Sequence, residues 1–568
     1  MRRSTDLWFM LPIVALLTVS CAAPTPATPG SATPGDASGR PLAVKRITLG
    51  MEVEPDFRPS APGTARFVSL LVHSGLAELG DQRARRPMLA EAVPSLENGL
   101  WKLLPGGRME TTWRLREGTR WHDGALLTAE DLLFSLQVGR DREMSAFNSE
   151  AFASIEEARA PDSRTLAITW KEPFVDADGV LAARLNTLLP KHLLENAYQS
   201  DKASFLDLPY WTSEFVGAGP YRLREWLPGL GMQLQANDDF VLGRPKIDEI
   251  EVKFIPDANT LTASLLAGTV DVTGNVGSID LGVQLRDRWH DGTVPFNFGS
   301  DNWAALYPQF IEPRPAVVAD VQFRRALAYG IDRQEIVDTL AASLSPVPHT
   351  FLSPNQAAYR DIEAAVTRYD YDPRKAAQML EASGYRKGAD GAYRDEANRR
   401  LELEVHSQPQ EATFKLASAI ADYWQRLGVD ATAVRMTPQQ FQDTQYLSTF
   451  PGFLVFAGPD DVNGLRFLHS SQTRLPSNNF RIPGPGNRSR YMNPEFDGLL
   501  ETYFKTVPLP ERTQALGQVI RHMADQVTAV GLYYNPIPGA VSNRVMNVSN
   551  EWPQIFITWN AHEWDVRS

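Results

Sequence analysis

Apolar positions recur along this chain with two different periods. The run holding Trp113 and Leu115 reads as a strand, Ile47-Thr48-Leu49-Gly50-Met51 as another, and Val270-Asp271-Val272 as a third. Between such runs the apolar residues fall at helical spacing, and local chemistry marks where the helices begin and end. Thr128 precedes an amphipathic stretch from Ala129, with Asp131 placed for a capping box. Asp320 precedes residues 321–329, and Asp332 is an N-cap acid with Glu335 set to bond back to it. Asp372-Pro373 and Asn493-Pro494 put Pro at a first helical position, where its missing N–H costs nothing. Gly268 and Gly384 end residues 261–267 and 376–383 as C-terminal glycines, and residues 67–75 read as a further helix. Helices alternating with short strands over the whole length predict an α/β fold. No repeat at solenoid spacing is found.

At 568 residues the chain exceeds what one core serves, roughly 250–300 residues, so several cores are expected. Lys and Arg total 56 against 68 Asp and Glu, a net charge of −12, which makes nucleic acid a poor partner. Acidity promotes solubility and mildly favours neutral or cationic partners.

The N-terminal segment follows a different logic. Arg2 and Arg3 precede an apolar run at residues 7–19, too short for a bilayer span of about 20 residues. Cys21 follows small Ser20 and is the only cysteine, which excludes an internal disulfide and a cysteine metal cluster. The segment resembles a bacterial lipoprotein signal cut before a lipid-bearing cysteine, although Thr18 stands where Leu is usual. Residues 1–20 are expected to be signal peptide, and residues 21–44 the lipid-attachment cysteine and a flexible Ala/Pro/Thr/Ser/Gly tether.

Six segments then occur in a consistent order. Residues 113–136 carry the strand, the His122-Asp123-Gly124 turn and the helix start Thr128-Ala129-Glu130-Asp131. Val216-Gly217-Ala218-Gly219-Pro220-Tyr221 follows, then Ile255-Pro256-Asp257 with Leu265-Leu266-Ala267-Gly268. The others are residues 323–333, Tyr371-Asp372-Pro373 through Gly384-Tyr385, and Tyr491-Met492-Asn493-Pro494-Glu495-Phe496-Asp497. Together they resemble the family 5 extracellular solute-binding proteins, the large receptors that hand peptides and similar solutes to ABC importers. Most of these residues are expected to build the fold. Gly217 and Gly219 would permit turn angles that other residues resist, and Asp123 could bond its own backbone in a tight turn.

The resemblance implies a periplasmic-binding-protein-like α/β fold of the large three-lobed type, with a ligand cleft between lobes that closes about a hinge. It divides the chain into lobe I (residues 45–92, 205–280 and 531–568), lobe II (93–204) and lobe III (281–530). It implies no catalysis, no cofactor and no metal site. The implied partners are a small solute or peptide, ABC permease and ATPase subunits, and the membrane through the N-terminal lipid. The protein would be an extracytoplasmic monomer.

Peptide-binding members hold the ligand's α-amine with an acid soon after a strand of the third lobe. The matching region is Phe453-Leu454-Val455-Phe456-Ala457-Gly458-Pro459-Asp460-Asp461, which makes Asp460 or Asp461 the candidate anchor, with Phe456 beside it. Trp303 and Tyr307 could stack on the ligand or pack in the core, and Arg466 could meet a ligand carboxylate or lie on the surface. An oligosaccharide, an opine or a metal chelate are alternative ligands on the same fold. A cleft-bearing protein that has lost transport is another alternative. A secreted hydrolase has little support: no Gly-x-Ser-x-Gly elbow occurs, His562-Glu563 lacks a second histidine at the zinc-protease position, where Val566 stands, and no Gly-Lys-Ser/Thr loop exists. Carboxylate pairs are present, but nothing marks one out.

Overall fold

Three antiparallel or mixed sheets, each backed by its own buried cluster, organise the chain. The computed structural model describes residues 44–59, 67–80, 84–182, 188–298, 303–354, 356, 358–458, 462–482, 484, 486–550, 552 and 557–567. Cys21 and residues 459–461 lie outside them.

The seven-stranded sheet draws on distant parts of the chain. Its order is Gly292–Thr293, Ala540–Ser542, Val272–Thr273, Arg46–Met51, Glu249–Phe254, Gly231–Ala236 and Tyr221–Leu227. Arg46–Met51 runs parallel to Glu249–Phe254 with Ile47 opposite Ile250 and Leu49 opposite Val252. All four are fully buried, as the alternation in this strand requires. The strand expected at residues 270–272 is shorter than its pattern. Only Val272–Thr273 joins the ladder, because the buried Asp271 carboxylate accepts the Thr48 N–H at 2.8 Å and binds Arg544.

The four-stranded sheet is antiparallel, ordered Trp101–Leu103, Met109–Arg114, Thr165–Trp170 and Ile155–Asp162, so that its last strand in sequence lies inside the sheet. Trp113, Trp121 and Trp170 fill its core. The helix Ala129–Arg140 packs against it and starts as expected: the Thr128 N–H donates to the Asp131 carboxylate at 2.8 Å in a full capping box.

The five-stranded sheet is ordered Asp430–Arg435, Glu402–Ser407, Phe453–Gly458, Trp303–Pro308 and Val530–Tyr534. The helix Glu411–Leu427 connects its parallel pair, burying Leu416, Ile420 and Trp424 against one face and ending at left-handed Gly428. The N-caps Asp320, Asp332, Asp372 and Asn493 all accept the expected backbone N–H. The return bond expected from Glu335 to Asp332 gives way to another partner, since the Glu335 carboxylate accepts the Tyr423 hydroxyl. Gly268 and Gly384 have φ of +67° and +90°, as helix-ending glycines should. The helix expected over residues 67–75 is confined to Ser69–Val72.

The chain crosses between the seven- and five-stranded sheets twice, and the crossings lie side by side. Phe296–Asn297 pairs antiparallel with Ile537–Pro538, and the Gly539 N–H donates to Pro295 O at 2.9 Å.

Candidate functional site

The His122 turn clasps backbone and leaves its ring no spare polar atom. Asp123 Oδ1 accepts the Ala125 N–H at 3.1 Å, and Gly124 has a φ of +88°. His122 Nδ1 accepts the Gly217 N–H at 3.2 Å, so Nε2 carries the proton and donates to Gly219 O at 3.0 Å. Burial pulls the His122 pKa down to about 4, against the bond to Gly219, which raises it. Gly217 and Gly219 have no left-handed φ, which corrects the expectation of special turn angles. Glycine is required there by crowding. A Cβ at residue 217 would lie 1.9 Å from Val72 O, and one at residue 219 would lie 2.4 Å from His73 N. Both ring nitrogens of this turn thus serve the backbone of the Gly217–Gly219 loop.

The sequence-derived ligand residues fall into two groups. Trp303, Tyr307 and Phe456 belong to adjacent antiparallel strands, with Trp303 opposite Gly458 and Ala305 opposite Phe456. Trp303 is buried, packs edge-on against Phe351 at 5.3 Å, and donates its indole N–H to Tyr307 Oη at 3.1 Å. Phe456 is 7% exposed and stacks on Phe441 at 6.3 Å. The strand end is tied down by the Ala457 N–H, which donates to buried Gln408 Oε1 at 2.9 Å. Asp460 and Asp461 follow this strand end in sequence and lie outside the described residues.

Arg466 stands apart from that group. Its guanidinium lies over the rings of Phe504 and Phe174, at 5.0 and 5.8 Å, and Nη2 donates to Asp176 Oδ2 at 2.9 Å. Asp176 follows the four-stranded sheet's Thr165–Trp170 strand, whereas Phe504 lies on the helix Pro494–Lys505. The pair therefore joins two parts of the protein. Lys505 reinforces it by reaching Glu172 at 3.3 Å. Phe174 and Asp176 went unnoticed in the sequence because a partner 290 residues away leaves no local signal.

Two open spaces frame the picture. A cavity of about 90 Å³ is lined by Gly50, Met51, Glu52, Phe67, Thr273 and Ile537. It sits at the carboxyl ends of two parallel strands, beside the double crossing, which is where open α/β sheets take ligands. Burial, and then Asp257, push the Glu52 carboxyl up. Glu52 is a cleft candidate that periodicity alone could not single out. A larger groove, about 1370 Å³, runs along the flank of the five-stranded sheet past Glu312, Arg314, Glu402 and His406, away from the candidate residues. Among the described residues no cluster of three or more His, Cys, Asp or Glu could hold a metal ion.

Known proteins share this architecture. The family model for bacterial extracellular solute-binding proteins, family 5 (middle part), matches residues 91–478, more than half of the chain. The chain is 22% identical over 549 residues to the oligopeptide-binding protein AppA of Bacillus subtilis, covering 94% of each. The structure of that protein in complex with a nonapeptide superposes with a TM-score of 0.67 at 20% identity, over 93% of this chain and 100% of that one. The periplasmic EDTA-binding protein EppA gives a TM-score of 0.75 at 19% identity, over 94% and 98%. NikZ from Campylobacter jejuni, in complex with Ni(L-His), gives 0.70 at 22%, over 91% and 99%. The three sheets are thus the α/β fold of a lobed periplasmic binding protein, and the chain belongs to the family 5 bacterial extracellular solute-binding proteins.

Proposed function

We propose that this protein is the solute-capturing subunit of an ABC importer and that its solute is an oligopeptide. The observation that carries this reading is the double crossing at Phe296–Asn297 and Ile537–Pro538. Two paired strands between two separately cored sheets make a hinge, and the cavity by Met51 and Thr273 lies at its side. The whole-length similarity to AppA favours a peptide over other solutes. In this reading the lobes follow the division given above, and the protein acts as a monomer outside the cytoplasm. Its anchor is a lipid on Cys21, and it docks on permease subunits whose partner ATPase supplies the energy. Replacing Cys21 by Ser should then release the protein from membranes, and retention would mean another anchor.

Asp460 or Asp461 receives the ligand's α-amine just past the Phe453–Gly458 strand. Removing a carboxylate that faces a buried ammonium costs about 2–5 kcal/mol of affinity. Calorimetry of peptide binding to Asp460→Asn and Asp461→Asn should find that loss in one of them, and full affinity in both refutes the anchor. A second reading is favoured by EppA, an EDTA-binding protein, and by NikZ, which holds Ni(L-His): the same cleft would take a metal chelate.

A further inference from the structure

Arg474 and Arg488 form a pair of like charges, with Arg488 over the Phe456 ring. Thr473 and Asn487 make a parallel bridge, and the Asn487 N–H donates to Gln472 O at 2.8 Å. One residue further on, this pairing sets Arg474 next to Arg488. Like charges placed opposite one another repel, and among the described residues no carboxylate pairs with either. Arg474 is 7% exposed. Among the described residues its side chain makes one hydrogen bond, from Nη2 to Gly484 O at 3.4 Å, and its buried Nε has no partner. The Arg488 guanidinium lies 3.9 Å from the centre of the Phe456 ring, and its buried Nε also has no partner. Burial holds both guanidinium pKa values below their usual range; for Arg488 the nearness of Arg474 adds to this, and Tyr307 opposes it.

A buried charge without a counter-charge is costly, and two together more so. The arrangement becomes favourable when an anion enters, because guanidinium groups bind oxyanions through paired N–H donors. We infer that Arg474 and Arg488 form a receptor for a carboxylate of the captured solute, with Phe456 as its floor. The inference rests on the reading of the protein as a solute receptor, and it names what the solute must carry. A peptide's C-terminal carboxylate and a polycarboxylate chelate both supply that group.

The test is calorimetry on the full chain with three probes: a mixed pentapeptide library as free acids, the same library as C-terminal amides, and EDTA. The free acids should bind at least about 30-fold more tightly than the amides. Arg488→Met and Arg474→Met should each remove most of that difference, and Arg488→Lys should keep part of it. If peptides fail and EDTA binds in an Arg488-dependent way, the oligopeptide reading falls while the carboxylate receptor stands. Should a Met variant not fold, the comparison of acid with amide on the wild-type chain and on Arg488→Lys decides alone. Equal binding of acid and amide, binding that ignores both arginines, or no binding of any anionic probe overturns the inference.

Discussion

Replacing His122 by Ala tests whether the His122-Asp123-Gly124 turn is scaffold. The ring bonds two backbone groups from one loop, and they would fare differently. Gly219 O also accepts from Asn237 Nδ2 at 3.0 Å, so it keeps a partner and loses about 0.5–1.5 kcal/mol of net bonding. The Gly217 N–H has only His122 Nδ1 among the described residues, and leaving a buried donor unmade costs about 1–3 kcal/mol. The sum is a loss of about 1.5–4.5 kcal/mol, read from urea denaturation of wild type and variant at pH 7. His122→Gln offers an acceptor and a donor at one end and should recover part of the loss, whereas solute affinity per folded molecule should stay unchanged in both. A loss below about 1 kcal/mol, or a fall in affinity without one in stability, refutes the scaffold role.

Three buried groups near this turn set a pH optimum. Burial lowers the His73 pKa from 6.5 to about 3 and that of His122 to about 4, and raises that of Glu78 from 4.5 to about 8. The two imidazoles contribute fully above pH 6.5 and lose their contribution as the pH falls toward their folded values, because the unfolded chain binds the protons. Glu78 does the reverse, contributing fully below pH 4.5 and losing its contribution as the pH rises to about 8. From pH 4.5 to 6.5 these three groups place two protons on the unfolded chain and one on the folded, a rise of about 1.4 kcal/mol per unit to which His349, likewise lowered to about 4 by burial, adds; above pH 6.5 Glu78 makes stability fall by about 1.4 kcal/mol per unit toward pH 8. Denaturation across pH 4–9 should peak near 6.5, and Glu78→Gln should flatten the alkaline limb; an unchanged limb refutes the assignment. At the Arg466–Asp176 contact, where the side chains are 19% and 24% exposed, Asp176→Asn should weaken the bridge by about 1–2 kcal/mol. Small-angle scattering of the ligand-free variant should show a larger radius of gyration, and identical curves would mean the bridge holds nothing together.

How legible each feature was depended on how far its cause lay along the chain. The caps at Thr128, Asp320, Asp332, Asp372 and Asn493 form as read because each involves a side chain and an N–H two or three residues away. Gly217 and Gly219 are required by crowding and not by turn angle, and the backbone that crowds them comes from residues 71–73, far away in sequence. Glu335 had the spacing for a capping box, but Tyr423, brought in by the Glu411–Leu427 helix, took its carboxylate. Arg466 invited a ligand carboxylate by type, and in the fold it meets Asp176. Arg474 and Arg488 carry no helical or strand periodicity that would pair them, and they are juxtaposed by the Thr473–Asn487 bridge between loops.

The central claim is that this family 5 receptor captures an oligopeptide. Native mass spectrometry of the purified protein, after exposure to a mixed peptide digest and removal of excess, tests it most directly. The account predicts a one-to-one complex whose released ligand fragments as a peptide with a free C-terminal carboxylate. A protein that retains no peptide, or that releases a sugar or a metal chelate instead, contradicts it.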